Sequence, residues 1–445
     1  VSAPNSQRIH LEALDFIPDL LALHAAHPER YPYLLASNTE VQPQSRYDIL
    51  FACPQQTFSK KTHACFLAEL DKQWRAQRIE PSTVDLPFSG GWFLYLGYEL
   101  AAEIETGLNL PAAEDGLPTA FATRIPAAII IDHKTDSASI VCETHYTQCM
   151  QEIKTDLKAI SHADGYKQAI KIDHLVEDDE SVYFAQLEKI HNYIVEGDVF
   201  QVNLSRSWRA RLSYPINHAS LFYQLVKNNP GPFNALVTLG GQAIISSSPE
   251  RLIEVRQGLI ETRPIAGTRP RDINSQTDQC LSAELMAHPK EKAEHIMLID
   301  LERNDLGRIC QPGSVEVNEL MALETYQHVH HIVSNVRGRL VKDITPGQII
   351  AAVFPGGTIT GCPKVRCMEI LSVLETTGRG AYTGSLGYLN LDGNMDLNIL
   401  IRTMVRDNDK LMFRAGGGIV ADSNPDHELD ETRAKAKGLI MTLQK

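Results

Sequence analysis

Apolar residues recur at two spacings along the chain, and the spacing changes mark its elements. Phe184, Leu187, Ile190 and Ile194 fall at helical steps and stop at Gly197, which predicts a helix. The stretch that follows, VFQVNLSRSW from Val199, alternates and predicts a strand. FNALVTLGG, AIISSS and LIEVRQGLIETRP predict further strands. Upstream, LPFSGGWFLYLGYEL reads as a strand punctuated by two glycines, and TAFATRIPAAIIIDHKTDSASIVCETHY as a hairpin around a polar DHKTDS turn. A helix is predicted to begin near Pro289, since proline suits the first helical turn. KLMFRAGGGIVADS reads as strand, glycine turn, strand, and DHELDETRAKAKGLIMTL as a closing helix. Strands and helices mix without regular alternation, so the fold class expected is α+β. Residues 1–160 and 183–445 read as two regions joined by a polar, acidic surface connection at 161–182.

Composition narrows the function. A chain of 445 residues with 43% hydrophobic content can bury a large core. Its net charge of -13 argues against a general nucleic-acid or anionic-membrane surface, and no basic stripe is present. The eight cysteines form no CxxC pair and no zinc spacing, so reduced core thiols are expected. No run reaches membrane-spanning length and no signal-peptide pattern is visible, so a cytoplasmic location is expected.

Several clusters could carry chemistry. Glu428, Glu431 and Lys435 share one narrow face of the closing helix. Alone, such a triplet is more often a solvated charged stripe. Glu294, however, sits in the apolar run around Ile296, Met297, Leu298 and Ile299 and needs a cation or a hydrogen-bond partner. Glutamates from two helices suit Mg²⁺; salt bridges to Arg303 or Arg308 are the alternative. FPGGTITGCPKVRCMEIL, which contains Thr358, is not a Walker loop. Gly416, Gly417 and Gly418 can offer bare amides to a carboxylate or simply form a tight turn. Glu250 in SSSPERL is either a general acid or a partner of Arg251. Among His328, His330 and His331, the adjacent pair points to opposite strand faces, which leaves one histidine for acid–base or hydrogen-bond work. RPIAGTRPRD, residues 263–272, gathers three arginines on a rigid stretch and would suit a wall beside an anionic substrate.

These segments stand in the order found in chorismate-utilising enzymes, which the chain resembles. GDVFQVNLS, SSSPERL, RPIAGTRPR, EKAEHIMLIDLERNDLGR, HVHHIVS, FPGGTITGCPKVRCMEI, GRGAYTGSLGY, NMDLNILIRT and GGGIVADSNPDHELDETRAK carry the resemblance over roughly 180–445. SRYDIL and LPFSGGWFLYLGYEL extend it toward the N-terminus. The resemblance implies two large, mostly antiparallel sheets packed as a sandwich with outer helices, the two regions interleaving in one globule. It implies chorismate as ligand, with Mg²⁺. Glu294 and Glu431 match the metal ligands, and Glu428 would act through water. Glu250 matches an acid that protonates a leaving hydroxyl, and His331 a histidine near the reacting ring. Lys435 would lie near a substrate carboxylate. Tyr382 and Arg402 would hold one carboxylate, helped by the amides of Gly416, Gly417 and Gly418. Ala266, Gly267 and Thr268 belong to a substrate-contacting turn, and Thr358 to the same surroundings.

Single positions divide the branches of this family. Where isochorismate and salicylate synthases carry a lysine base, this chain has Gln201, so ammonia is the expected nucleophile. Ala266 resembles anthranilate synthases, since many aminodeoxychorismate synthases read PIKGT with a nucleophilic lysine. QVNLS, FPGGTITG and GGGIVADS resemble the aminodeoxychorismate branch, which is the expectation adopted, with a noncovalent intermediate because Ala266 cannot attack. No glutaminase segment is apparent, so a separate glutamine amidotransferase subunit is expected to supply ammonia. LLASN at 34–38 keeps Ser37 of the LLES element of tryptophan-inhibited synthases but lacks its glutamate, which argues against tryptophan feedback. Anthranilate synthesis is the alternative, and a catalytically silent chorismate-binding regulator an alternative of another class.

Overall fold

The computed structural model describes residues 8–37, 46–60, 65–80, 85–160, 164–272, 274–325 and 329–444. Its strands form two sheets, one of 12 strands and one of 10, with antiparallel pairing. The apolar runs explain why the sheets stack. In the Ala127–Asp132 strand, Ile129 and Ile131 enter one core while Ala128 and Ile130 enter another. In Gly91–Leu96, Trp92, Leu94 and Leu96 face one core, and Phe93 and Tyr95 a second. A strand covered on both faces needs no polar alternation. The middle core joins the sheets: the Tyr33 ring of the larger stacks on Phe93 of the smaller at 4.1 Å, and Phe51 meets Phe93 edge-on at 5.4 Å.

Helices cover the outer faces. Leu20–Ala26, His218–Asn228 and Pro425–Leu443 pack on the larger sheet. Phe66–Gln77, Pro289–Gly307 and Pro346–Val353 pack on the smaller. This is the α+β sandwich expected from the sequence. Each sheet draws strands from both sides of residues 161–182: Tyr33–Ala36 pairs with Phe233–Leu239, and Gly91–Leu96 with Ser385–Asn390.

Three local expectations need correction. The stretch read as one hairpin holds three strands, because Pro126 separates Ala120–Ile125 in the smaller sheet from Ala127–Asp132 in the larger. A residue without an N–H ends a ladder, and the chain changes sheet there. The connection at 161–182, described from 164 onward, contains the Ile172–Glu177 strand, which pairs with Gln201–Leu212. The three glycines form no turn: they lie inside a continuous strand, Lys410–Ile419.

Two further sheet crossings set up the site. Pro249 and Glu250 link Gln242–Ser248 of the larger sheet to Arg251–Arg256 of the smaller. Residues 399–402 link Met395–Asn398 back to Thr403–Asp407. The crossings run side by side, with the Ile399 amide donating to the Glu250 carbonyl at 3.0 Å and the Ser247 amide to the Arg402 carbonyl at 3.2 Å.

Candidate active site

Glu250 is buried at the first crossing, and the Thr358 hydroxyl donates to its Oε1 at 2.8 Å. Burial pushes its carboxyl up to about 7, against the opposing pull of the Thr358 hydrogen bond and the Lys435 charge. It therefore exchanges its proton near neutral pH, as a general acid requires. Its chain neighbour Arg251 is engaged elsewhere, with Asp396 and Glu254, which removes the alternative of an Arg251 partner.

Arg402 stands at the second crossing with a positive φ of 51°. Its guanidinium makes no hydrogen bond or ion pair with any described residue, and burial lowers its pKa. A half-buried cation without a carboxylate is poised for an anionic ligand. Arg402 also faces His331, whose imidazole burial holds down at about 4, with Arg402 adding to the effect. His331 is thus neutral at physiological pH. Its neighbour His330 points away, to Asp278 Oδ1 at 2.9 Å and Thr325 Oγ1 at 2.9 Å. His328 lies outside the described residues.

His331 pairs across the ladder with Thr268, and Ala266 with Ile332. Gly267 between them is bulged out of register with a φ of 61°, a conformation glycine alone adopts freely. A Cβ on Gly267 would stand 2.8 Å from Glu291 Oε2. Ala266 is buried in this strand. The three arginines do not line the site. Arg263 binds Glu319 and Glu324, each at 2.6 Å; Arg269 binds Glu291 at 3.1 Å and Glu284 at 3.3 Å; Arg271 binds Asp278 at 2.9 Å. The expected cationic wall is instead a set of ion pairs that ties this stretch to its neighbours.

The glycine strand is the floor between Gln201–Leu212 and the closing helix. Its ladder with Thr403–Asp407 ends at Phe413, while the ladder with Gln201–Leu212 continues to Ile419. A Cβ on Gly416 would meet the Leu204 carbonyl at 2.4 Å, the Tyr382 hydroxyl at 2.8 Å and Asn203 Oδ1 at 3.0 Å. One on Gly418 would meet Gln201 Nε2 at 2.0 Å. The strand can therefore only be glycine where these side chains close in. Gln201 Oε1 and Asn203 Oδ1 are buried without a hydrogen-bond partner among the described residues. The sidewall is fixed from below: Arg379 donates to the Asn203 carbonyl at 2.6 Å, is held by buried Glu375 at 2.7 Å, and lies 5.7 Å from the Tyr382 ring.

Across the strand, Glu428 Oε2 and Glu431 Oε1 would stand 3.2 and 3.4 Å from a Cβ on Gly417. Lys435 donates to the Gly416 carbonyl at 3.0 Å and pairs with Glu431 at 2.6 Å. Glu294 is half-buried on the Pro289–Gly307 helix, one turn beyond Glu291. Among the described residues no three His, Cys, Asp or Glu side chains converge into a ready metal cage. Two carboxylates over one glycine do converge. That fits Mg²⁺, which takes one or two carboxylates and fills its octahedron with water and substrate oxygens.

Sequence reasoning missed Glu291 and Glu302. Glu302 is buried on the same helix and pushed up to about 8, chiefly by burial and then by Asp305. A signal existed: Glu302 lies four residues from both Leu298 and Leu306, inside the apolar stripe. A separate cavity lies elsewhere. It holds about 490 Å³ and is walled by Leu35, Tyr47, Phe233, Arg263, Glu319 and Tyr388 among others, with none of the residues above Gly417 among them. Ser37 does not line it, being tied to Asp48 Oδ1 at 2.6 Å and the Tyr47 carbonyl at 3.1 Å.

A two-sheet fold of this kind has counterparts among known proteins. The family model described as "chorismate binding enzyme" matches residues 31–441, and the chain belongs to that family. It is 40% identical over 359 residues to an anthranilate synthase component I-like protein of Synechocystis, covering 81% of this chain and 74% of that one. It is 35% identical over 448 residues to aminodeoxychorismate synthase component 1 of Salmonella typhimurium, covering 97% of both. Anthranilate synthase component I from Streptococcus pneumoniae superposes with a TM-score of 0.76 at 27% identity, over 99% of this chain and 94% of that one. No helix among the described residues is long and apolar enough to cross a membrane.

Proposed function

We propose that this chain is the chorismate-aminating component of an aminodeoxychorismate synthase, making 4-amino-4-deoxychorismate from chorismate and ammonia. The observation that carries the reading is Glu250, a buried acid poised near pH 7 at one sheet crossing, with the guanidinium of Arg402 on the crossing that runs alongside it. Asn203 favours this branch over anthranilate synthesis. It is the asparagine of QVNLS, and its unpartnered Oδ1 sits over Gly416 beside the Tyr382 hydroxyl, where a valine would leave an apolar wall.

In this reading Arg402 and the Tyr382 hydroxyl take one substrate carboxylate, with the amides of the glycine strand beneath. Glu294 and Glu431, with Glu428 through water, would hold Mg²⁺, which when bound neutralises the other carboxylate. Ammonia adds at carbon 2 while the carbon 4 C–O bond breaks, and Glu250 gives its proton to the departing hydroxyl, releasing water. Ala266 offers no lone pair, so the resulting 2-amino-2-deoxyisochorismate stays noncovalent. A second ammonia adds at carbon 4 and the carbon 2 amine leaves, so the net reaction consumes one ammonia. Neutral His331 lines the ring as a hydrogen-bonding group, with Lys435 near a substrate carboxylate. Gln201, a neutral amide, suits positioning ammonia rather than activating water. A glutamine amidotransferase subunit would be the ammonia source, in keeping with the component 1 naming of the relatives.

The test is product analysis from chorismate, Mg²⁺ and ammonium. Aminodeoxychorismate is expected; anthranilate with pyruvate as the main products would move the chain to the other branch. Glutamine should support turnover only when an amidotransferase subunit is added, and efficient glutamine use by the chain alone would refute that part.

A further inference from the structure

Tyr382 rides on a turn whose backbone is held by two carboxylates from far upstream. The Arg379 amide donates to Glu99 Oε1 at 2.7 Å, and the Gly380 amide to both Glu99 oxygens at 3.2 Å. The Ala381 amide donates to Asp115 Oδ2 at 3.2 Å, and Asp115 Oδ1 takes the Leu117 amide at 3.1 Å. Three successive amides therefore point at two carboxylates, an arrangement of backbone N–H groups that suits an anion. Gly380 permits it with a φ of 58°, and a Cβ there would stand 2.0 Å from Asp115 Oδ2. Bonds also run the other way, from the Tyr98 amide to the Gly380 carbonyl at 2.9 Å. Asp115 is buried and Glu99 half-buried.

We propose that Glu99 and Asp115 are positioning residues for Tyr382: by fixing the amides of 379–381 they place its hydroxyl over Gly416 and so set the affinity for the substrate carboxylate. This rests on the carboxylate-holding role of Tyr382 given above. The path from carboxylates to hydroxyl is short. The Tyr382 amide donates to the Arg379 carbonyl at 3.0 Å, so Tyr382 follows the turn. Its ring lies 5.7 Å from the Arg379 guanidinium, and its hydroxyl 2.8 Å from where a Cβ on Gly416 would stand. Thr383, next in the chain, donates its amide to the Leu400 carbonyl at 2.8 Å. Leu400 belongs to the crossing that carries Arg402, the other residue given to that carboxylate. A turn that shifts at 379–381 therefore moves the Tyr382 hydroxyl relative to the guanidinium that shares its ligand.

Asp115→Asn leaves one acceptor for two amides, and Glu99→Gln puts an NH₂ group against the Gly380 amide. Chorismate affinity with Mg²⁺ and no ammonium, read by calorimetry, tests the link, beside KM and kcat with ammonium. Each variant should weaken chorismate binding roughly fivefold, the worth of one hydrogen bond, and raise KM alike. kcat should stay within about twofold, since the interaction lost is made equally in the ground and transition states. In a Tyr382→Phe background the same changes should add less than about twofold, because no hydroxyl remains to be misplaced. A carboxylate that merely held the fold would instead add its full effect there. Glu99→Asp keeps the charge one carbon short and should fall between the parent and the glutamine variant; it also serves if the glutamine variant does not fold. An unmoved dissociation constant in folded variants overturns the proposal, as does a fully additive loss in the Tyr382→Phe background. A parent that binds chorismate without aminating it refutes the proposed function alone; one that binds no chorismate refutes both.

Discussion

Replacing Gly416 with alanine tests whether the glycine strand is a packed floor. The new Cβ would stand 2.4 Å from the Leu204 carbonyl oxygen, 2.8 Å from the Tyr382 hydroxyl and 3.0 Å from Asn203 Oδ1. The two side chains can swing aside. The Leu204 carbonyl cannot, because Leu204 is laddered opposite Gly417. Relieving that contact displaces the strand by about 0.6 Å or more in an interior too dense to absorb it. Overpacking of this kind costs about 1–3 kcal/mol of stability. A reacting group misplaced by about 1 Å loses about 100-fold in rate, so a fall of roughly 10- to 100-fold in kcat/KM is expected. The assay is steady-state chorismate consumption at saturating ammonium and Mg²⁺, with a thermal melt to establish that the variant is folded. Gly107→Ala is the control, since a Cβ there meets nothing within 4 Å. A folded Gly416→Ala variant with kcat/KM within about threefold of the parent would refute the reasoning, because a glycine free in a turn tolerates a methyl group.

Glu250 acts as an acid only while protonated, so kcat/KM should hold below pH 7 and fall as pH rises through about 7; a Glu250→Gln variant should lose that limb along with most turnover. His24, His218, His295 and His331 are each held at about 4 by burial, so the folded chain refuses protons that the unfolded chain accepts. Their contribution to stability is full above the unfolded value near 6.5 and is lost as pH falls toward 4, which a urea-midpoint series across that window would read as a steady decline. Glu375 is buried between Arg379 and Arg414, and Glu375→Gln should cost about 3–5 kcal/mol in chemical denaturation by leaving two guanidiniums without their carboxylate. Glu431→Gln should weaken the Mg²⁺ dependence of turnover, and an unchanged Mg²⁺ titration would remove it from the metal site.

Periodicity made the helix at Glu180–Val195 and the strand at Gln201–Leu212 legible, because each repeats its buried apolar positions at its own period: Tyr183, Leu187 and Ile190 on the helix, Val202, Leu204, Trp208, Ala210 and Leu212 on the strand. It failed at Pro126, where two apolar strands read as one although they serve different sheets. Nothing local records which sheet a doubly buried strand joins. The glycine triplet read as a turn for the same reason. The demand for glycine comes from Leu204, Tyr382 and Gln201, all distant in sequence. In the site, spacing on one helix grouped Glu428, Glu431 and Lys435 correctly on one face. The arginines of RPIAGTRPRD show the limit of composition: their number suggested an anion-binding wall, while their partners Glu284, Glu291, Glu319, Glu324 and Asp278 emerge only in the fold. Arg402, which the family resemblance indicated and charge counting did not, is a half-buried cation whose guanidinium is left open among the described residues.

The most direct test of the central claim is the fate of chorismate given ammonium and Mg²⁺ alone, followed by chromatography of the products. The account predicts 4-amino-4-deoxychorismate with the enolpyruvyl side chain retained and no covalent adduct on the protein. Release of pyruvate with anthranilate as the main product, or no consumption of chorismate, would contradict it.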